Sequence, residues 1–280
     1  MTETFYFGRL NYTRNNNRDI DKDLLLKELL EYGNKFRPLK KSKYQYGIFS
    51  LEEIHDPNLG LVYTGELVKY QDLKEEPVVK ENKISIEYIE DVILGRSRFY
   101  LLDKTHLIAY NPYGKIISPK AFCESFVGIL VGADDTFDID AEIFPVNYEY
   151  EFMSFLKSMR TLNILEINLM PSNPNSRDLW DEIDDRLRSM NVKRYKEEFV
   201  AKENQSLEID ERTVNKIIMA QDGYGKAKGK GTDQDGNQVE ISTDSKESIT
   251  KKSINKDLSL IEQLNAVRQV FERVIERFKK

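Results

Sequence analysis

The feature that most constrains this chain lies near its end. Leu260, Leu264, Val267, Phe271, Val274 and Phe278 recur at intervals of 4, 3, 4, 3 and 4, which puts six apolar side chains on one seam of a single helix. At 1.5 Å per residue the seam runs about 27 Å, and something must cover it. Residues 257–280 are therefore predicted to form one amphipathic helix with Arg268, Arg273 and Arg277 on its outer face. Two coverings are open: the helix folds back on its own domain, or it pairs with the same helix of a second subunit. The Ser-, Thr- and Lys-rich stretch 244–255 reads as a linker that frees the helix to reach. The expectation is a homodimer through this seam.

Upstream, the periodicity changes twice. Residues 4–12 alternate aromatic and polar groups as a strand does, a polar loop with three asparagines follows, and leucines at 24, 25, 26, 29 and 30 mark a helix stopped by Gly33. Extended runs at 44–54 and 59–71 read as a hairpin, 73–83 as a polar connector, and 84–94 as either strand or helix. A second hairpin follows at 98–110, a helix opens at Ser118 and Pro119, and 136–144 alternates as a strand. Beyond Pro145 helices and strands interleave: helix 148–159, strand 161–170, helix 176–190, strand 193–201, helix 210–220 and a hairpin from 224 to 243. The expected fold class is α+β, with a mainly antiparallel sheet domain over 1–145, a smaller α+β domain over 146–250 and a dimerisation helix over 251–280.

Composition narrows the chemistry. One cysteine, Cys123, excludes an internal disulfide and a cysteine-rich zinc site, and two histidines, His55 and His106, leave little for triad or metal chemistry. No apolar run is long enough to cross a membrane and the opening residues lack the apolar core of a signal peptide, so a cytoplasmic protein without membrane insertion is expected. The net charge of −6 is uneven: residues 1–80 carry 13 basic and 13 acidic groups, 81–192 carry 11 and 19, and 193–280 carry 18 and 16. A basic face built from the two ends is thus compatible with an acidic protein.

Two regions offer such a face. In the glycine-rich hairpin, strand alternation projects Tyr224, Lys226, Lys228 and Lys230 together, about 6–7 Å apart, while Gly223, Gly225, Ala227, Gly229 and Gly231 leave the other side nearly bare for a close-approaching backbone. Such lysines commonly protect a strand edge from aggregation; the alternative is that they bind phosphates. The second region is Lys35, Arg37, Lys40, Lys41 and Lys43, leading into Tyr44 and Tyr46, with Arg9, Arg14 and Arg18 around the asparagine loop. The enzymatic alternative is a metal-dependent nuclease built on Asp138, Asp140 and Glu142. The glycines lack the spacing of a nucleotide loop, and Asp233, Asp235, Gly236 and Asn237 are too short a run for a calcium loop. No cofactor and no intrinsic enzyme activity are expected; a pure protein-interaction module is the third reading.

The opening strand with Phe5, Tyr6 and Arg9, the Asn/Arg loop and the leucine-rich helix resemble the start of the RexA-like phage-exclusion proteins, and the order of domains is similar. The strand into Met170, Pro171, Ser172, Asn173 and Pro174, with the glycine–lysine hairpin ending at Ser242 and Thr243, resembles an uncharacterised family encoded in bacterial defence loci. The resemblance implies a homodimer that clasps double-stranded DNA without sequence preference, using a movable, swivel-like small domain. It also implies a role in anti-phage defence, by abortive infection, alongside a second defence protein encoded nearby.

Overall fold

The computed structural model describes residues 2–14, 22–31, 42–132, 139–172 and 179–279. In chain order the strands are β1 (Thr2–Arg14), β2 (Tyr44–Asp56), β3 (Gly60–Lys80), β4 (Lys83–Leu102), β5 (Leu107–Tyr110), β6 (Ile139–Pro145), β7 (Thr161–Leu169), β8 (Tyr195–Val200), β9 (Gly225–Thr232), β10 (Gln238–Ser242) and β11 (Lys251–Asn255). The helices are α1 (Lys22–Glu31), α2 (Pro119–Val131), α3 (Glu151–Ser158), α4 (Asp181–Ser189), α5 (Glu211–Met219) and α6 (Leu260–Glu276). The fold is α+β: a larger antiparallel sheet in the order β11-β1-β5-β4-β3-β2, with β6 also on β1, and a smaller one in the order β10-β9-β7-β8.

Alternation along β1 divides the larger sheet's two cores. Leu10 and Tyr12 face α1 and α2, where Phe122 and Phe126 stack and Phe99 meets Phe126 edge to face, and Phe5 and Phe7 face α6. The Ser118 hydroxyl caps α2 by accepting from the Ala121 amide at 3.1 Å, with Pro119 at the first helical position, as the sequence predicts.

The terminal seam has a different partner from the one expected. Leu264, Val267, Phe271 and Val274 are at most 1% exposed and lie against Phe5, Phe7, Val62 and Tyr100 of the same chain, with the Phe7 and Phe271 rings edge to face at 5.4 Å. Leu260 is half-buried in the same cluster, and Phe278 turns toward Trp180 and Tyr224. A dimer through these six residues is therefore corrected, because their own chain fills the seam. The cause lies just upstream. Residues 251–255 are a strand rather than a linker, and β11 runs antiparallel to residues 2–6 of β1, which delivers α6 to the sheet. Residues 251–276 thus belong with the larger sheet.

The expected connector at 73–83 is also strand. β3 and β4 pair from Val62 opposite Leu102 to Lys80 opposite Lys83, closing at Glu81 and Asn82, both with positive φ. Cross-strand pairing decides the state of a segment whose composition is polar.

In the smaller sheet, Leu165, Ile167 and Leu169 of β7 point toward α3, α4 and α5, packing with Phe152, Leu156 and Trp180. Glycine alternation in β9 serves this packing. A Cβ on Gly229 would lie 2.5 Å from Leu156, and Cβ atoms on Gly225 and Gly231 would lie 2.1 and 1.9 Å from carbonyl oxygens of β7. The bare face expected to admit a ligand backbone is filled by this chain's own helix and strand.

Candidate nucleic-acid interface

The two sheets meet at a buried junction that claims two of the expected DNA contacts. Arg9 is 1% exposed; its Nε donates to the Asp222 carbonyl at 2.9 Å and its Nη1 to the Thr105 carbonyl at 2.6 Å. Its guanidinium lies 4.6 Å from the Tyr224 ring centroid and 4.8 Å from that of Phe278. Asp222 is held by the Arg277 guanidinium at 3.6 Å and the Trp180 indole N–H at 3.2 Å. Gly223, at φ +90°, sits where a Cβ would come 2.8 Å from the Arg9 Cβ, so only glycine fits this crossing. Tyr224 is fully buried, and burial, only partly countered by the Arg9 charge, pushes its hydroxyl up to about 12. Arg9 and Tyr224 are corrected from ligand contacts to junction residues. A five-residue helical turn at Ala220–Tyr224 follows α5 and tucks Tyr224 inward before β9 begins, so it never joins the strand's alternation.

Lys226, Lys228 and Lys230 do project together on the open face of the smaller sheet. Glu166 and Asn168 of β7, Lys196 and Glu198 of β8, Glu240 and Ser242 of β10, and Asp244 surround them, and most of these groups line a cleft of about 590 Å³. Each hairpin lysine has a carboxylate partner. Lys226 lies 3.4 Å from Asp244 and 3.9 Å from Glu142, Lys228 lies 2.8 Å from Glu240, and Lys230 lies 3.6 Å from Glu166 and 3.8 Å from Glu240. The hydrogen bond between Lys228 and Glu240 raises the first group's pKa and lowers the second's. At Asp244, burial alone would raise the carboxyl, but the Ser242 hydroxyl and the Lys226 ammonium outweigh it and the pKa falls. Four lysines, at 196, 226, 228 and 230, thus face four carboxylates, at 166, 198, 240 and 244. This charge-balanced face was invisible from the hairpin because the acids arrive on other strands; the only hint was Glu166 between Leu165 and Ile167, and Lys196 and Glu198 two residues apart in the next strand.

The second basic region is described at its end. Lys43 is exposed, with its ammonium 5.4 Å from the Tyr44 ring centroid. Lys69, opposite Tyr46 in the β2–β3 register, reaches over Tyr44 at 4.9 Å and Tyr46 at 5.6 Å. Lys69 was missed because only cross-strand register brings it to this edge. Arg14 stands in β1 opposite Ile139, and Arg18, Lys35, Arg37, Lys40 and Lys41 lie outside the described residues. β2 is the sheet edge away from β6, the strand whose Glu142 touches Lys226, so among the described residues Lys43 and the hairpin lysines are on different parts of the molecule.

Of the expected metal ligands, Asp138 lies outside the described residues. Asp140 lies 3.1 Å from Lys193, and Glu142 lies 2.6 Å from Arg194. Among the described residues no group of three or more His, Cys, Asp or Glu side chains is placed to hold a metal ion. Burial pushes the Cys123 thiol up to about 11 despite its hydrogen bond to the Tyr110 hydroxyl at 3.3 Å, which leaves it protonated and inert at neutral pH. His106, at φ +52°, is 3% exposed and stacks on Tyr12 at 4.9 Å. Ser172 of the Met-Pro-Ser run donates its amide and hydroxyl to Asp184, both at 2.6 Å, and so ties the end of β7 to α4. No described helix is long and apolar enough to cross a membrane.

The chain matches, over residues 3–272, the family described as a domain of unknown function, DUF4747, and belongs to it. No curated protein matches the chain.

Proposed function

We propose that this DUF4747 protein is a sequence-tolerant, non-catalytic DNA-binding component of an anti-phage defence system, acting as a homodimer beside a second defence protein. The observation that carries the DNA reading is the edge at Lys43 and Lys69, whose two ammonium groups both lie over the Tyr44 ring, with Tyr46 buried in the core behind it. The basic run from Lys35 to Lys41 leads directly into that edge. Cations beside aromatic rings at a sheet edge suit a phosphate backbone with no base readout. The defence role rests on the resemblance of the opening strand, Asn/Arg loop and leucine-rich helix to RexA-like proteins. In this reading the hairpin lysines are secondary, since their carboxylate neighbours cancel the field a polyanion would feel.

The test is a titration of the full chain against duplex DNA at two salt concentrations. Each phosphate contact steepens the fall of log affinity with log salt by about 0.9. Replacing Lys40, Lys41 and Lys43 by alanine is expected to remove up to about three such contacts, whereas replacing Lys226, Lys228 and Lys230 should remove less than about one. Absence of salt-dependent binding by the unaltered chain would refute the DNA reading. Loss confined to the hairpin variant would move the contact to the smaller sheet.

A further inference from the structure

The edge at Lys43 and Lys69 extends onto β4. Lys69 stands opposite Tyr46 on one side and Gly95 of β4 on the other, and directly opposed residues share a face. With neighbouring strands about 4.8 Å apart, this row is about 10 Å wide. The turn between β5 and α2 folds over its far end. A Cβ on Gly95 would lie 2.8 Å from the Tyr113 ring and 3.0 Å from the Ile116 side chain, and the Lys69 ammonium donates to the Ile116 carbonyl at 3.4 Å. The turn is fastened at both ends. Asn111 donates its amide to the Arg98 carbonyl at 3.0 Å and accepts from the Arg98 amide at its side-chain oxygen at 2.8 Å. The Tyr113 amide donates to the Ile117 carbonyl at 3.0 Å, just before Ser118 caps α2, and Gly114 makes the reversal at φ +55°. Tyr113 is thus held in place and rests on a glycine, yet it remains 51% exposed.

The charges around this ring differ from those of the hairpin. Among the described residues no carboxylate lies within ion-pair distance of Lys43, Lys69 or Lys115, whereas Lys226, Lys228 and Lys230 each have one. Lys115 is exposed in the turn itself, and Lys43 is exposed just before β2. Glu124 takes up Lys120 at 3.6 Å, and the acid that follows on the Lys69 face, Glu90 opposite Leu73, stands about 13 Å out along the strands. Three unneutralised ammonium groups along one rim attract phosphates, and the open ring among them offers a second kind of contact. A base inside a duplex has both faces covered by its neighbours, so an aromatic side chain gains little from it; an unpaired base can lie on the ring. We propose that Tyr113 stacks on an unpaired base, which makes DNA with single-stranded stretches the ligand of this edge. This role rests on the DNA reading and adds the form of the strand; a fully paired duplex is held by the ammonium groups alone.

Fluorescence anisotropy titrations of the full chain at two salt concentrations test it with three labelled probes of equal length. These are a duplex, an unpaired strand without self-complementarity, and an abasic strand, which keeps the phosphates and lacks the bases. The unpaired strand is expected to bind at least about fivefold more tightly than the abasic one, since stacking on one aromatic ring is worth about five- to 150-fold in affinity. Tyr113→Ala should erase that advantage while leaving the duplex affinity and the salt slopes unchanged, because no charge is removed. Tyr113→Phe keeps the ring and should keep the advantage. Three results would overturn the stacking role while the DNA reading stands: salt-dependent binding in which the unaltered chain holds unpaired and abasic strands alike, an advantage that survives Tyr113→Ala, or one that is lost in Tyr113→Phe. Salt-dependent binding to none of the three probes would remove both.

Discussion

Phe271→Ala distinguishes a helix that covers its own sheet from one that waits for a partner. Phe271 is 1% exposed, with its ring edge-on to Phe7 at 5.4 Å. An aromatic side chain buries about 150–250 Å², which at about 25 cal/mol per Å² is worth about 4–6 kcal/mol. Alanine keeps roughly 1 kcal/mol of that through its Cβ, and the cavity left behind keeps the net loss in the measured range of about 3–5 kcal/mol. The expected destabilisation is therefore about 4 kcal/mol, a large share of the total stability of an ordinary domain. Ile261→Ala on the same helix, where the side chain is 52% exposed, should cost no more than about 0.5 kcal/mol. Urea titration followed by far-ultraviolet circular dichroism and by the fluorescence of Trp180, the chain's one tryptophan, reports the sheets and their junction separately. A shift below about 1 kcal/mol for Phe271→Ala would refute the intrachain seam.

Three further outcomes follow from particular contacts. Gly225→Ala should destabilise the smaller sheet by more than about 2 kcal/mol, because its Cβ would meet the Asn168 carbonyl at 2.1 Å; an unchanged melt would mean that β9 and β7 are not so closely apposed. The Cys123 thiol, raised by burial from 9.0 to about 11, keeps its proton in the folded chain where the unfolded chain has lost it. Stability from this group is therefore present below about pH 9 and falls as pH rises through 9 to 11. Rapid labelling of Cys123 by a thiol reagent at pH 8 in the folded protein would contradict that environment. Incubation of the full chain with DNA or RNA and magnesium or manganese is expected to give no cleavage; cleavage abolished by Asp138→Ala or Asp140→Ala would establish the nuclease alternative instead.

Local signals in the sequence determined much of the secondary structure. The Ser118–Pro119 helix start, the β4–β5 hairpin around Asp103, the alternation of β7 and the amphipathic terminal helix are all legible because each depends on residues within one or two turns or one strand. The lysine row of β9 was legible in the same way, as three side chains on one face. What surrounds those residues was decided by tertiary structure. Burial of Arg9 and Tyr224 depends on Asp222, Thr105 and Phe278, which lie far apart in the chain. Neutralisation of Lys226, Lys228 and Lys230 depends on acids from β7, β10 and the segment after it. A polar stretch at 73–83 became a ribbon, and a polar stretch at 251–255 became a sheet strand, because strand pairing draws on a partner's backbone rather than on local composition. The heptad spacing of α6 specified an apolar stripe but not its partner, since the hydrophobic effect has no direction; the pairing of β11 with β1 chose the partner by placing the helix over Phe5 and Phe7.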